Sequence, residues 1–289
     1  MALAPINGVE IYYEEHGQGT PILFCHEFAG DHRSWEPQVR FFARRYRAIT
    51  YSARGYHPSS IPTEDAAYSE EQAVEDAYGL LRFLGIDKAH IVGLSMGGNL
   101  SLKLGLAHPE ICLSLVVAGA GFGSTNPAEF RANALDTAAL LEQVGMEQFA
   151  ETYGRGPSRL RFEQKDPHGF ADMVLQLKEH STAGSALTMR NVQGKRKTVY
   201  EVADDLPGLN VPTLIISGDE DELALEPALM MKRKIPNSGL LIVPKTGHTV
   251  NLEEPALFNQ AVFDFISAVG QGAWTPRRDT TTGLLPPDR

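Results

Sequence analysis

HIVGLSMGGNLSLKLGLAHPE, residues 90–110, runs from an apolar stretch through Gly93-x-Ser95-x-Gly97 into an amphipathic pattern closed by Pro109. Small residues at such a junction allow positive φ and close backbone approach. Met96, Leu100, Leu104 and Ala107 fall on one helical face, so the stretch reads as strand, sharp turn and helix. Ser95 then sits at the apex of the turn with an exposed hydroxyl, the form in which a serine nucleophile is presented. A tight turn alone would explain the glycines. The serine needs partners elsewhere in the chain.

The surroundings fit that reading. The runs 9–14, 21–26, 46–51, 90–94, 113–119, 212–218 and 239–244 look like strands, several of them nearly continuous in apolar residues. Such runs suit parallel strands covered on both faces. Amphipathic segments lie between them: Val74, Ala77, Leu81 and Leu84 share a face, as do Phe258, Val262, Phe265 and Val269. The alternation predicts a mostly parallel α/β sheet with right-handed crossovers. It breaks between about Ser124 and Asp205, where Phe170, Met173, Val174 and Leu177 mark a helical face and no strand appears. The expected organisation is a core of residues 1–123 and 206–270, a helical cap of 124–205 over the carboxyl edge of the sheet, and a tail of 271–289 that wraps the surface or is disordered.

A serine hydroxyl is a poor nucleophile until a base takes its proton, and the base needs an orienting acid. LIISGDEDEL places Asp219, Glu220, Asp221 and Glu222 just beyond a strong strand, and IVPKTGHTVNLEEP places His248 between the last strand and the last helix. Serine, acid and histidine therefore follow one another, each just after a strand.

These motifs carry a resemblance. The chain resembles an α/β-hydrolase with a helical cap, an eight-stranded fold, over its length to about residue 270: GLSMGG matches the family's elbow, GDED its acid loop and PKTGHTVNLEEP its histidine loop. The resemblance implies Ser95 as nucleophile, His248 as base and Asp221 as acid, with Asp219 second. It also implies that the amides of Phe28 and Met96 form the oxyanion hole, with His26 holding the first loop from beneath. Two positions depart from the pattern. Glu27 stands where glycine is common, and a carboxylate there must point away, be paired or be protonated; a backbone group or Arg54 is the expected partner, contact with a substrate donor or the handling of a proton the alternative. Ser52 in YSARG stands where aspartate is common, and His57 nearby either contacts ligand or belongs to a loop.

The resemblance implies hydrolysis of a small or medium ester or lactone, without cofactor or metal. Carbon–carbon cleavage of a vinylogous diketone is the alternative, and a slow-turnover receptor on the same scaffold is a rival. Serine at the elbow argues against dehalogenase and epoxide-hydrolase branches, whose nucleophile is aspartate. Thr249 after His248 argues against a hydroxynitrile-lyase role. Apolar cap residues Phe130, Phe149, Phe162 and Phe170 are expected mainly in packing. Arg155, Arg159, Arg161 and Lys165 are expected mainly on a solvated surface, although they could attract an anion.

Composition limits the partners. The 289 residues carry 26 basic and 36 acidic side chains, a formal net charge of −10, which disfavours nucleic acid or an anionic membrane. The expected partner is a small-molecule substrate, with a homodimer left open. The first residues, MALAPINGVEIYYEEHGQG, lack a basic segment followed by an apolar core, and a cytoplasmic location is expected. Cys25 and Cys112 lie in apolar runs and read as buried thiols.

Overall fold

Asn7 and Gly8 both adopt positive φ, 47° and 79°, as a two-residue type I′ turn requires. They join β1 (Ala2–Ile6) to β2 (Val9–His16) as an antiparallel hairpin at one edge of the sheet. This is a computed structural model, and it describes residues 2–276. The strands β3 (Pro21–Cys25), β4 (Arg47–Tyr51), β5 (Ala89–Leu94), β6 (Cys112–Ala118), β7 (Thr213–Gly218) and β8 (Ser238–Val243) complete one eight-stranded sheet. Its order is β1-β2-β4-β3-β5-β6-β7-β8. Among the described residues the pairs β1–β2 and β2–β4 are antiparallel and the other five are parallel.

Alternate residues of each strand feed different cores. Leu23, Ile49, Ile91 and Leu115 bury on one side of the sheet, and Phe24, Ala48, Val92 and Val116 on the other. Helices α1 (Glu36–Phe42), α2 (Glu70–Phe83) and α3 (Met96–Ala107) begin the two covering layers. Ser69 caps α2 by accepting from the Gln72 N–H. The connection from β3 leads to β4 on one side and that from β4 returns to β5 on the other. The carboxyl ends of β3 and β5 therefore flank the switch point where open α/β sheets bind ligands.

Between β6 and β7 the chain is helical, as expected. It forms α4 (Pro127–Gly154), α5 (Leu160–Lys165), α6 (Pro167–Lys178) and α7 (Thr182–Leu187), and α7 runs into a π-helical turn, Thr188–Gln193. Gly145, with φ 74° and ψ 165°, breaks α4 into two pieces. Ala134, Ala138, Leu141 and Phe149 of α4 pack on Phe28, Ala29 and Tyr56 of the core loops, which seats the cap. Val199 and Val202 bury in the same core as Leu115 and Ile215.

The last helices are α8 (Glu222–Lys234), α9 (Val250–Glu253) and α10 (Pro255–Gly270). Beyond α10, Trp274 packs edge-on against Phe265 at 4.6 Å, and its indole N–H donates to the Asn237 carbonyl at 3.4 Å. The start of the expected tail thus lies on the sheet, while residues 277–289 fall outside the described residues. Cys25 and Cys112 are free and buried, and burial pushes both thiols up to about 12. Among the described residues no helix is long and apolar enough to cross a membrane.

Candidate active site

Ser95 has φ 56° and ψ −109°, a conformation that costs a non-glycine residue on the order of 1–3 kcal/mol. Its N–H donates to the Ala118 carbonyl at 2.8 Å, and its own carbonyl accepts from the Asn99 N–H at 2.9 Å and the Asn99 side-chain amide at 3.1 Å. These bonds hold the bend between β5 and α3. A Cβ on Gly97 would collide with the carbonyl groups of Cys25 and His26, and one on Gly93 with the carbonyl of Gly97. Both glycines serve close approach. Gly97→Ala is expected to destabilise the fold by about 3 kcal/mol, read as a lower midpoint in urea unfolding.

Two loops bring the other groups. Asp221 lies just before α8, after β7, and His248 follows β8. Asp221 Oδ2 accepts from His248 Nδ1 at 2.8 Å, with both residues 3% exposed. Asp219, the second choice from sequence, instead accepts from the Thr246 N–H at 3.2 Å and braces the histidine loop. Glu253 braces it further, accepting from the Gly247 N–H at 2.7 Å and the Thr249 N–H at 3.1 Å. Burial alone would lower the His248 pKa, but the charge and hydrogen bond of Asp221 outweigh it and the pKa is raised. Phe122 lies 4.5 Å from the imidazole, ring to ring.

The loop after β3 is tied down from three sides. Ala53 N–H donates to His26 Nε2 at 3.0 Å, so His26 Nδ1 carries the proton and donates to the Glu27 carbonyl at 2.7 Å. Burial pulls the His26 pKa down to about 4, in keeping with this neutral, structural imidazole. Tyr56 Oη donates to the Phe28 carbonyl at 3.0 Å, which fixes that part of the loop. The Met96 amide opens α3, in a first turn that has no intrahelical acceptor.

Glu27 does not meet Arg54, which is bound to Asp76 at 2.9 Å. Its carboxylate accepts from the guanidinium of Arg159, in the turn Pro157–Arg159 of the cap, and both side chains are almost wholly buried. Arg54 was the nearer basic residue in sequence, but the cap brings a cation from 132 positions away. A paired carboxylate presents little net charge to its surroundings: on His248, Glu27 raises the pKa while Arg159 lowers it. Arg159→Met leaves Glu27 buried and unpaired, and is expected to cost about 3–5 kcal/mol. Adding Glu27→Gln should recover most of that loss in a double-mutant cycle measured by urea unfolding; additive losses would show that the pair is not coupled.

These loops meet the cap around a cavity of about 70 Å³. The core contributes Phe28, Ser95, Phe122 and His248, and the cap contributes Phe130, Tyr153, Ser158, Arg159, Met189, Gln193 and Arg196. The His248 N–H also donates to the Ser158 carbonyl at 3.3 Å. One cap turn therefore touches both the histidine loop and the loop carrying Glu27.

A family model described as the alpha/beta hydrolase fold matches residues 20–255. The chain belongs to the α/β-hydrolase fold family. Among its relatives, 3-oxoadipate enol-lactonase 1 of Acinetobacter baylyi is 27% identical over 86% of this chain and 89% of its own length. A 2-hydroxy-6-oxo-6-phenylhexa-2,4-dienoate hydrolase of Burkholderia cepacia is 26% identical over 91% of this chain and 93% of its own. The crystal structure of an enol-lactonase from Burkholderia xenovorans superposes with a TM-score of 0.82 at 23% identity, over 92% of this chain and all of that one, a likeness of fold.

The sequence did not single out several residues around this hydrolase's cavity. Phe122, Tyr153, Ser158, Met189, Gln193 and Arg196 were not read as site residues, whereas Phe130 lines the cavity instead of only packing the cap. Phe149, Phe162 and Phe170 are buried in packing, as expected. Of the four basic residues noted in the cap, Arg155, Arg161 and Lys165 pair with Glu151, Glu220 and Glu254 near the surface; Arg159 alone turns inward. His57 is exposed and does not line the cavity. Ser52 is buried and binds His32 Nδ1 at 2.9 Å. Among the described residues no group of three or more His, Cys, Asp or Glu is arranged to hold a metal ion.

Proposed function

We propose that this α/β-hydrolase cleaves a small or medium carboxylic ester or lactone through an acyl-enzyme on Ser95. The observation that carries the reading is the 2.8 Å bond from the His248 imidazole to Asp221, with His248 facing the cavity that Ser95 also lines. With Nδ1 committed to Asp221, Nε2 is the nitrogen left to take a proton. Ser95 Oγ attacks the acyl carbon as its proton passes to His248. The carbonyl π electrons move onto oxygen, where the Phe28 and Met96 amides stabilise the charge. Collapse breaks the bond to the leaving oxygen, which takes the proton back from His248. Water, deprotonated by the same imidazole, then attacks the acyl-enzyme and releases the acid with Ser95 restored. Protein groups and water suffice for every step.

The relatives' names, a lactonase and a hydrolase of an oxo-dienoate, support hydrolysis without choosing between oxygen and carbon leaving groups. The deciding experiment uses p-nitrophenyl esters of increasing acyl length. A burst of one p-nitrophenol per active site, with a matching acyl mass on Ser95, is the expected result. A folded protein that releases no p-nitrophenol from any of them overturns the ester reading.

A further inference from the structure

Arg196 is 6% exposed and lines the cavity that holds Ser95 and His248. Among the described residues it has no carboxylate within salt-bridge distance. Its Nη2 donates to the Phe122 carbonyl at 2.8 Å, its guanidinium lies 4.9 Å from the Phe130 ring centre, and its Nε has no hydrogen-bond partner. Burial pulls its pKa down to about 10, which leaves it charged at neutral pH. The carboxylate whose field reaches it, Glu70, is itself bound to Lys103 at 3.0 Å.

The other charged groups of the cavity are matched. Arg159 is neutralised by Glu27, and His248 is bound to Asp221. One buried positive charge is left over, and a buried charge without a counter-ion is costly unless something supplies one. Lys195 and Lys197 on either side are exposed, so the turn after the π-helical segment directs one cation of the three inward. Arg196 also borders a second cavity, of about 40 Å³, lined in part by Tyr51, Tyr56, Met96 and Leu100.

We infer that Arg196 is the anion-recognition residue of the site, and that the substrate is an ester or lactone whose acyl part carries a carboxylate. This rests on the hydrolase reading above and narrows it. A guanidinium offers the paired donors that a carboxylate accepts, and the cavity wall brings that donor set close to the reacting serine. Binding replaces the missing counter-ion, so charge recognition and burial work in the same direction.

The test compares the p-nitrophenyl monoester of glutaric acid with its methyl-capped, neutral counterpart. Wild type is expected to favour the anionic ester by at least about tenfold in kcat/KM, chiefly through KM. Arg196→Gln should bring the ratio of the two substrates to about one, and Arg196→Lys should keep part of it. Glutarate binding to Ser95→Ala, followed by calorimetry with and without Arg196→Gln, provides a readout without turnover. Equal or better use of the neutral ester by wild type, with no glutarate binding, overturns the inference and leaves the hydrolase reading standing. Arg196-dependent glutarate binding in a protein that cleaves neither ester upholds the anion site and overturns the ester reading instead.

Discussion

Ser95→Ala is expected to lower kcat on an activated ester by about 10⁵–10⁶-fold, the scale on which removal of a serine nucleophile acts. The substitution removes one oxygen and leaves the strained turn, the bond from Ser95 N–H to Ala118 and the Asn99 contacts in place. Ligand binding and unfolding midpoint should therefore change little. A residue of hydrolysis, roughly 10³–10⁴-fold above water, should survive, because oxyanion donors and binding act without the nucleophile. Single-turnover measurement with mass detection of the acyl adduct checks this directly. A variant that retains turnover within tenfold of wild type would sink the assignment of Ser95.

Asp221→Asn is expected to cost about 10⁴-fold in kcat, because an amide opposite Nδ1 no longer selects the tautomer that leaves Nε2 free to accept. Asp219→Asn is the matched control and should cost less than about tenfold, since that carboxylate contacts the Thr246 N–H and not the imidazole. The pH profile separates the roles further. A general base works when unprotonated, so kcat/KM should rise with pH through the His248 pKa, which lies above 6.5 in the folded protein. Asp221→Asn removes the main group that raises it and leaves the burial that lowers it. The acid limb should then move to lower pH while the plateau falls. A limb that stays in place would show that another group controls the profile.

The parts of this fold that local sequence dictates were legible in it. Ser95 and its glycines follow an apolar strand and precede an amphipathic helix, and that local order is enough to build the turn. Among four consecutive carboxylates it was the family resemblance, and not the local sequence, that pointed to Asp221, and the structure places it against His248. β1 was not read as a separate strand, because Pro5 interrupts a short run; an edge strand tolerates proline where a central one would not. The partner of Glu27 was not legible for a different reason. Arg155, Arg159, Arg161 and Lys165 look alike in sequence, and only the packing of the cap decides which turns inward. Arg196 was hidden in the same way, between two lysines that do face water.

The contact of one short cap turn with two loops of the core bears on how such proteins diversify. A helical insertion between two strands looks like an exchangeable module, which recombination could replace without disturbing the sheet. Here the module carries half of a buried ion pair, Arg159, and the core carries the other half, Glu27. A foreign cap grafted at the same boundaries would strand Glu27 without its cation, and this cap on a glycine-bearing core would strand Arg159. Inheritance of the cap is therefore linked to a single codon in the first thirty residues, and chimaeras should be viable only when both travel together or both are replaced.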